Sequence, residues 1–356
     1  MSFEMLKNLF FRSKLPLGLD IGNHALKGIL LKRDKQRVLL KQFIYDDSAA
    51  FENSTPQELQ ERLAALIEIN QLQKHVTCSA VSDAEVLNYT FMIPKIPAQE
   101  IPIVVRNEIE QRLHFPIEEA TFDFTTQDVS GDGSSQIQVT AYCARKDFIQ
   151  THMALLKQSK LHPLSIEGQL MANVAALEFN GYLQKSDNSY VVIDFGQSHT
   201  TMGLVTHGLL GLSNRLDLGS KDLLQRISQT LKVSMEEAEE KNDAHTLILK
   251  TFGKNTRAFE KCIDGFYQDL GTQIQSSLSM FSEQAVGTTV EKVFLVGGGS
   301  QKKGLLEYLQ LLTQLKVEIP NPLRNIDIYN DDKVDGRVGQ YGAHFNVAVG
   351  LAVRGL

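Results

Sequence analysis

One pattern occurs twice in the chain, once in each half: LGLDIGNHALKGILL at 17–31 and VVIDFGQSHTTMGLV at 191–205. Each reads as an apolar strand, Asp-x-Gly, a polar turn and a second strand. A repeat that occurs only twice is no solenoid period; it calls for two similar lobes, each built around a hairpin. The glycine admits close backbone approach, and the Asp at the strand end points into whatever lies between the halves. Two such hairpins face to face make a phosphate clamp. Turn amides meet phosphate oxygens, while Asp20 and Asp194 hold the waters of a Mg²⁺ ion that bridges the phosphates. Lys27, on the second strand of the first hairpin, returns an ammonium to the same phosphates. A third element, VFLVGGGSQKKGLLEYL, runs a buried-strand pattern into Gly297, Gly298 and Gly299 and then a helix, whose free N-terminal amides are predicted to meet a nucleotide.

The segments between these motifs set the domain order. Residues 17–46 read as three strands; Thr55-Pro56 with Glu58 opens a helix that carries Leu59, Leu63, Leu66 and Ile67 on one face. Strands are expected at 75–81 and 86–93, and Pro94 and Pro97 mark a boundary. The stretch 98–167 reads helix (101–113), strand (121–128), a VSGDGSS turn, strand (136–143), helix (146–159) and a last short strand, a small α+β module. The expected division is a first lobe at 1–97, the inserted module at 98–167 and a connecting helix at 168–185. A second lobe at 186–339 and a C-terminal helix at 340–356, returning to the first lobe, complete it.

Composition excludes several classes. With 36 Lys+Arg against 42 Asp+Glu the net charge is −6, which argues against coating nucleic acid or an anionic bilayer. The three cysteines are too far apart for a C-x-x-C pair and odd in number, which fits a reducing cytoplasm. The nine histidines show no H-E-x-x-H or paired spacing, so a structural metal is not expected. No run of about 18 apolar residues reads as a membrane span. The leader MSFEMLKNLFFRSK has Phe3, Leu6 and Phe10 on one helical face and reads as a helix docked on protein rather than an interfacial anchor.

The ordered set of two hairpins and a glycine-rich strand-to-helix corner resembles the actin-like ATPase superfamily, which includes actin, Hsp70 chaperones and sugar kinases. Within it the chain is similar to the PilM family of type IV pilus and related type II secretion machineries, and to the cell-division protein FtsA. Besides the nucleotide motifs, EIPIVVRNEIEQRLHFPIEEATFDF (100–124), PLRNI (322–326) and VAVGLAVRGL (347–356) carry the resemblance to PilM. It implies an α/β, two-lobed actin-like (ribonuclease H-like) fold with an inserted subdomain 1C, and ATP with Mg²⁺ in the interlobe cleft.

Position by position, the resemblance puts Asp20, Gly22, Asn23, His24, Ala25 and Lys27 on the first phosphate loop. Asp194, Gly196, Gln197, Ser198, His199, Thr200 and Thr201 fall on the second. Gly219 matches a turn that starts a helix near the nucleotide, Glu239 the acid that meets the ribose, and Gly297, Gly298, Gly299 and Ser300 the adenosine motif. Gln169 stands where a glutamine or glutamate orients the attacking water.

Four departures stand out: Asn23-His24-Ala25 replaces a serine-rich turn, His199 a common Thr, Ser220 a second Gly, and Asn242 a lysine. Binding on backbone amides survives such changes better than hydrolysis does. The function implied is a cytoplasmic ATP-binding adaptor, peripheral at the inner membrane through the N-terminal cytoplasmic tail of a PilN-like protein. The rival readings are a type II secretion counterpart, a turnover ATPase or kinase, and an FtsA-like filament.

Overall fold

The computed structural model describes residues 15–22, 24–47, 54–128, 136–184, 188–243, 254–284, 289–328 and 342–356. The leader at 1–14, the VSGDGSS turn and Asn23 lie outside the described residues. The first sheet contains β1 (Leu17–Ile21), β2 (Leu26–Asp34), β3 (Arg37–Asp46), β4 (Val76–Val81), β8 (His162–Gly168) and β14 (Asp327–Ile328), in the order β14-β3-β2-β1-β4-β8. The second contains β9 (Ser189–Phe195), β10 (Thr200–Thr206), β11 (Leu209–Leu216), β12 (Val290–Val296) and β13 (Lys316–Glu318), in the order β11-β10-β9-β12-β13. Leaving β14 aside, both sheets run third, second, first, fourth, fifth. The first three strands are antiparallel, and the fourth and fifth are parallel to the first. The duplicated hairpins are thus the centre of two duplicated sheets.

Local sequence accounts for the helices. In α1 (Pro56–Ile69), Glu58 N–H donates to Thr55 Oγ1 at 3.2 Å and Thr55 N–H to Glu58 Oε2 at 2.7 Å, a reciprocal capping box. Leu63 and Ile67 are its buried stripe. The connecting helix α4 (Gln169–Phe179) is shorter than expected, because Asn180 caps it and Gly181 turns left-handed at φ +71°. Against α4 lies α9 (Asn346–Arg354). A Cβ at Gly350 would stand 1.8 Å from Ala172 O, and one at Gly18 2.1 Å from Ala348 O, so α9 is pressed between α4 and β1.

The inserted module has its own three-stranded sheet, β5 (Leu87–Pro94), β7 (Gln136–Arg145) and β6 (Ala120–Asp128), covered by α2 (Ile101–Glu110). Strand pairing moves its expected edges. Leu87–Pro94 pairs with β7, because Phe91 and Ile93 alternate into a core shared with Val105, Ile109 and Val139. The strand expected to close the module is β8, which pairs with β4 instead. The helix before it, α3 (Lys146–Gln158), buries Leu156 with Leu63 and Ile67 of the first lobe. Pro94 and Pro97 therefore follow the module's first strand and do not precede the module.

The module also reaches the second lobe. Leu204 pairs with Leu212 and Val205 with Leu210, so Gly211 is an extra, bulged residue of β11. Its carbonyl accepts from Thr90 Oγ1 at 2.9 Å and Asn88 Nδ2 at 3.3 Å, while Leu210 O accepts from Tyr142 Oη at 2.9 Å.

Candidate functional site

Each hairpin turn closes in the same way: Gly22 N–H donates to Ala25 O at 3.1 Å and Gly196 N–H to His199 O at 3.0 Å. The two turns face one another across a cleft of about 560 Å³ at the carboxyl ends of β1, β4, β9 and β12, the usual ligand edge of α/β sheets. Across it, Gln197 Nε2 meets His24 Nδ1 at 3.1 Å.

Asp20 is 2 % exposed and lies directly opposite Lys27 in the β1–β2 ladder, with Lys27 Nζ 3.2 Å from its Oδ2. Gln169 Nε2 donates to its Oδ1 at 3.3 Å. One helical turn later, Asn173 Nδ2 donates to Asp194 Oδ2 at 2.7 Å. A single helix face therefore presents one amide to each aspartate, since i and i+4 are neighbours on a helix. Behind it, Asn346 Nδ2 donates to Asn173 Oδ1 at 2.9 Å, which turns the Asn173 amide toward Asp194. Burial holds Asp194 above the ordinary carboxylate pKa; Asn173 and Lys27 oppose this and Asp20 adds to it.

The glycine corner lies against β9. Gly297 has φ +92°, and a Cβ there would stand 2.2 Å from Asp194 Oδ1. Gly299 N–H donates to Phe195 O at 2.9 Å. The next helix, α8 (Leu305–Thr313), starts too late for its amides to face the cleft, contrary to the expectation from sequence. Gln301, Lys302 and Lys303 line it instead, and Lys302 Nζ lies 3.0 Å from Glu239 and 3.6 Å from Asp243.

The other expected site residues divide. Gly22, Ala25, Ser198, Thr201, Gly298 and Glu239 join those above on the cleft wall, but Thr200, Gly219 and Ser300 stand behind it. Thr200 Oγ1 donates to Leu218 O at 2.6 Å. Gly219 packs under the turn, where a Cβ would lie 2.1 Å from Gln197 O. The amides that follow it, at the start of α5 (Ser220–Leu231), donate to Gly196 O and Gln197 O at 3.0 and 2.9 Å. They hold the turn and not a ligand. Ser300 is 1 % exposed, and its Oγ, like Ser198 Oγ and His199 Nδ1, is buried without a partner among the described residues. Sequence reasoning missed Asn173, Asn346, Lys302 and His344; of these only Lys302, beside the three glycines, carried a local signal.

Among the described residues no helix is long and apolar enough to cross a membrane. A solved PilM-PilN type IV pilus biogenesis complex superposes with a TM-score of 0.79 at 24 % identity, covering 96 % of this chain and 98 % of that one. Ethanolamine utilization protein EutJ from Carboxydothermus hydrogenoformans superposes with a TM-score of 0.52 at 12 % identity, covering 98 % and 96 %. The fold is the two-lobed actin-like one. The family model described as type IV pilus assembly protein PilM matches residues 18–356, and the chain belongs to that family.

Proposed function

We propose that this chain is an ATP- and Mg²⁺-binding adaptor of type IV pilus assembly that holds the N-terminal cytoplasmic tail of a PilN-like inner-membrane protein. The observation that carries the nucleotide half is Asp20 and Asp194, one from each lobe, steadied by Gln169 and Asn173 of one helix. The donor set suits Mg²⁺ held through water, because the two carboxylates are hard oxygen ligands and the described residues gather no group of three or more His, Cys, Asp or Glu to ligate a metal directly. The buried Ser198 Oγ, without a partner among the described residues, fits an acceptor-rich phosphate beside the second turn. Bound Mg²⁺ supplies charge neutralisation at the phosphate oxygens.

Turnover in this reading is slow: the Gln169 amide orients a water but does not take its proton. The partner half draws on the similar solved complex, in which a PilM protein is paired with PilN. The module offers α2, on which Ile103 is 64 % exposed, as an apolar anchor for an extended segment. Such a partner would place the protein at the cytoplasmic face of the inner membrane.

Thermal unfolding with ATP and Mg²⁺ tests the nucleotide half. A ligand at a hundredfold its Kd stabilises by about 2.7 kcal/mol; the shift is expected in the wild type and shrinks in Asp20→Ala and Asp194→Ala. No shift, or the same shift without Mg²⁺, overturns it. For the partner half, Ile103→Asp is expected to abolish binding of a PilN-like tail peptide and leave the ATP shift intact; unchanged peptide affinity moves the partner site elsewhere.

A further inference from the structure

The carboxyl of Asp83 serves the start of α4. Asp83 begins a short 3-10 turn (Asp83–Glu85) after β4, and Val81 lies beside Gly168 in the parallel β4–β8 ladder, so that turn sits next to the first residues of α4. The N-cap position is Gly168, which has no side chain to satisfy the orphan amides of the first turn. Asp83 supplies one from the other strand: Leu170 N–H donates to Asp83 Oδ1 at 3.1 Å and Oδ2 at 3.0 Å. Gly168 is part of the arrangement, since a Cβ there would stand 2.6 Å from Asp83 Oδ1. Leu170 is itself fully buried, so its amide has no water to fall back on.

We propose that Asp83 is a positioning residue of the cleft: by capping α4 through Leu170 it fixes the turn that carries Gln169 to Asp20 and Asn173 to Asp194. This rests on the reading of the cleft as a Mg²⁺·nucleotide site. The two amides reach aspartates from different lobes, so a small rotation of the helix start moves Gln169 away from Asp20 while Asn173 stays near Asp194. The carboxylate pair then loses the spacing that a shared, water-clad ion needs. Burial pushes the Asp83 carboxyl up to about 8; the Leu170 amide opposes this, and the charges of Asp194 and then Asp20 add to it. An asparagine imitates it in shape and keeps an acceptor oxygen for Leu170 N–H.

The test compares full-length wild type, Asp83→Ala and Asp83→Asn by calorimetric titration with Mg²⁺·ATP well below their unfolding temperatures. Amide exchange at Leu170 is followed in the nucleotide-free proteins. The alanine variant is expected to bind about tenfold more weakly, a loss of about 1.4 kcal/mol, and to exchange Leu170 faster. The asparagine variant keeps an acceptor for Leu170 N–H and is expected to restore both. A lowered melting temperature with unchanged affinity in Asp83→Ala assigns the residue to stability alone and overturns the proposal. So does an asparagine variant as weak as the alanine one, or Leu170 exchange that does not respond. If the wild type binds no Mg²⁺·ATP, the reading of the cleft fails first and the proposal falls with it; binding by wild type and both variants alike strikes only the role of Asp83.

Discussion

His152, a partly buried side chain off the cleft wall, shows how a titratable group shapes the pH response of stability. Ser79 Oγ donates to Leu19 O at 3.0 Å, so its lone pair is left for His152 Nε2, also at 3.0 Å, which must then carry the proton. Burial pushes the imidazole from its ordinary 6.5 down to about 4. The unfolded chain takes up a proton between these values and the folded one does not, so stability present above 6.5 is lost as pH falls toward 4. Urea midpoints across that range should therefore fall less steeply in His152→Leu than in the wild type, the difference amounting to about 1–3 kcal/mol at the acid end. Parallel slopes would mean that the imidazole is protonated in the fold. His344, on the cleft wall, is pushed to about 4 by burial first and by Lys27 and Lys302 next, so it adds a slope of the same sign.

The crossing of α4 and α9 is the element on which the cleft stands, and small residues make it possible. Because the Gly350 Cα faces Ala172 O so closely, Gly350→Ala overpacks the crossing and is expected to cost about 1–3 kcal/mol or more in denaturant midpoint. It should also weaken the Mg²⁺-dependent thermal shift, since Asn173 follows Ala172 directly. Gly265→Ala, which meets nothing within 4 Å, is the matched control and should stabilise the long α7 (Lys254–Gln284) slightly. This level also marks what a linear reading reaches. The hairpins, the capping box at Thr55 and the glycine corner are legible because each is written within a few neighbouring residues. Asn173, Asn346 and Asp83 are not, because their meaning comes from partners brought together by sheet order and helix crossing. The module's edges escape a linear reading for the same reason: alternation marks Leu87–Pro94 as a strand but does not name its neighbour. Thr200 escapes it too, because a hydroxyl next to a phosphate turn can equally face the chain behind it, here the Leu218 carbonyl just past β11.

On the scale of the whole molecule, the module is covalently part of the first lobe yet hydrogen-bonded to the edge strand of the second. Thr90→Val with Tyr142→Phe removes two of those donors and little volume. The double variant is expected to keep its fold, to exchange the β5 amides faster, and to lose the module's protection from proteolysis before that of either sheet. Unchanged protection would mean that packing alone seats the module. The receiving groups on β11 at Leu210 and Gly211 are main-chain carbonyls, which every residue type offers alike. A Cβ at Gly211 would meet only ordinary contacts, the nearest being Thr90 Oγ1 at 3.7 Å, so Gly211→Ala should leave the joint intact. Gly211 is therefore free to drift in sequence as far as the joint is concerned, whereas Leu210 is held by the core its side chain fills, and related chains can retune how the module is seated by changing residues on the module.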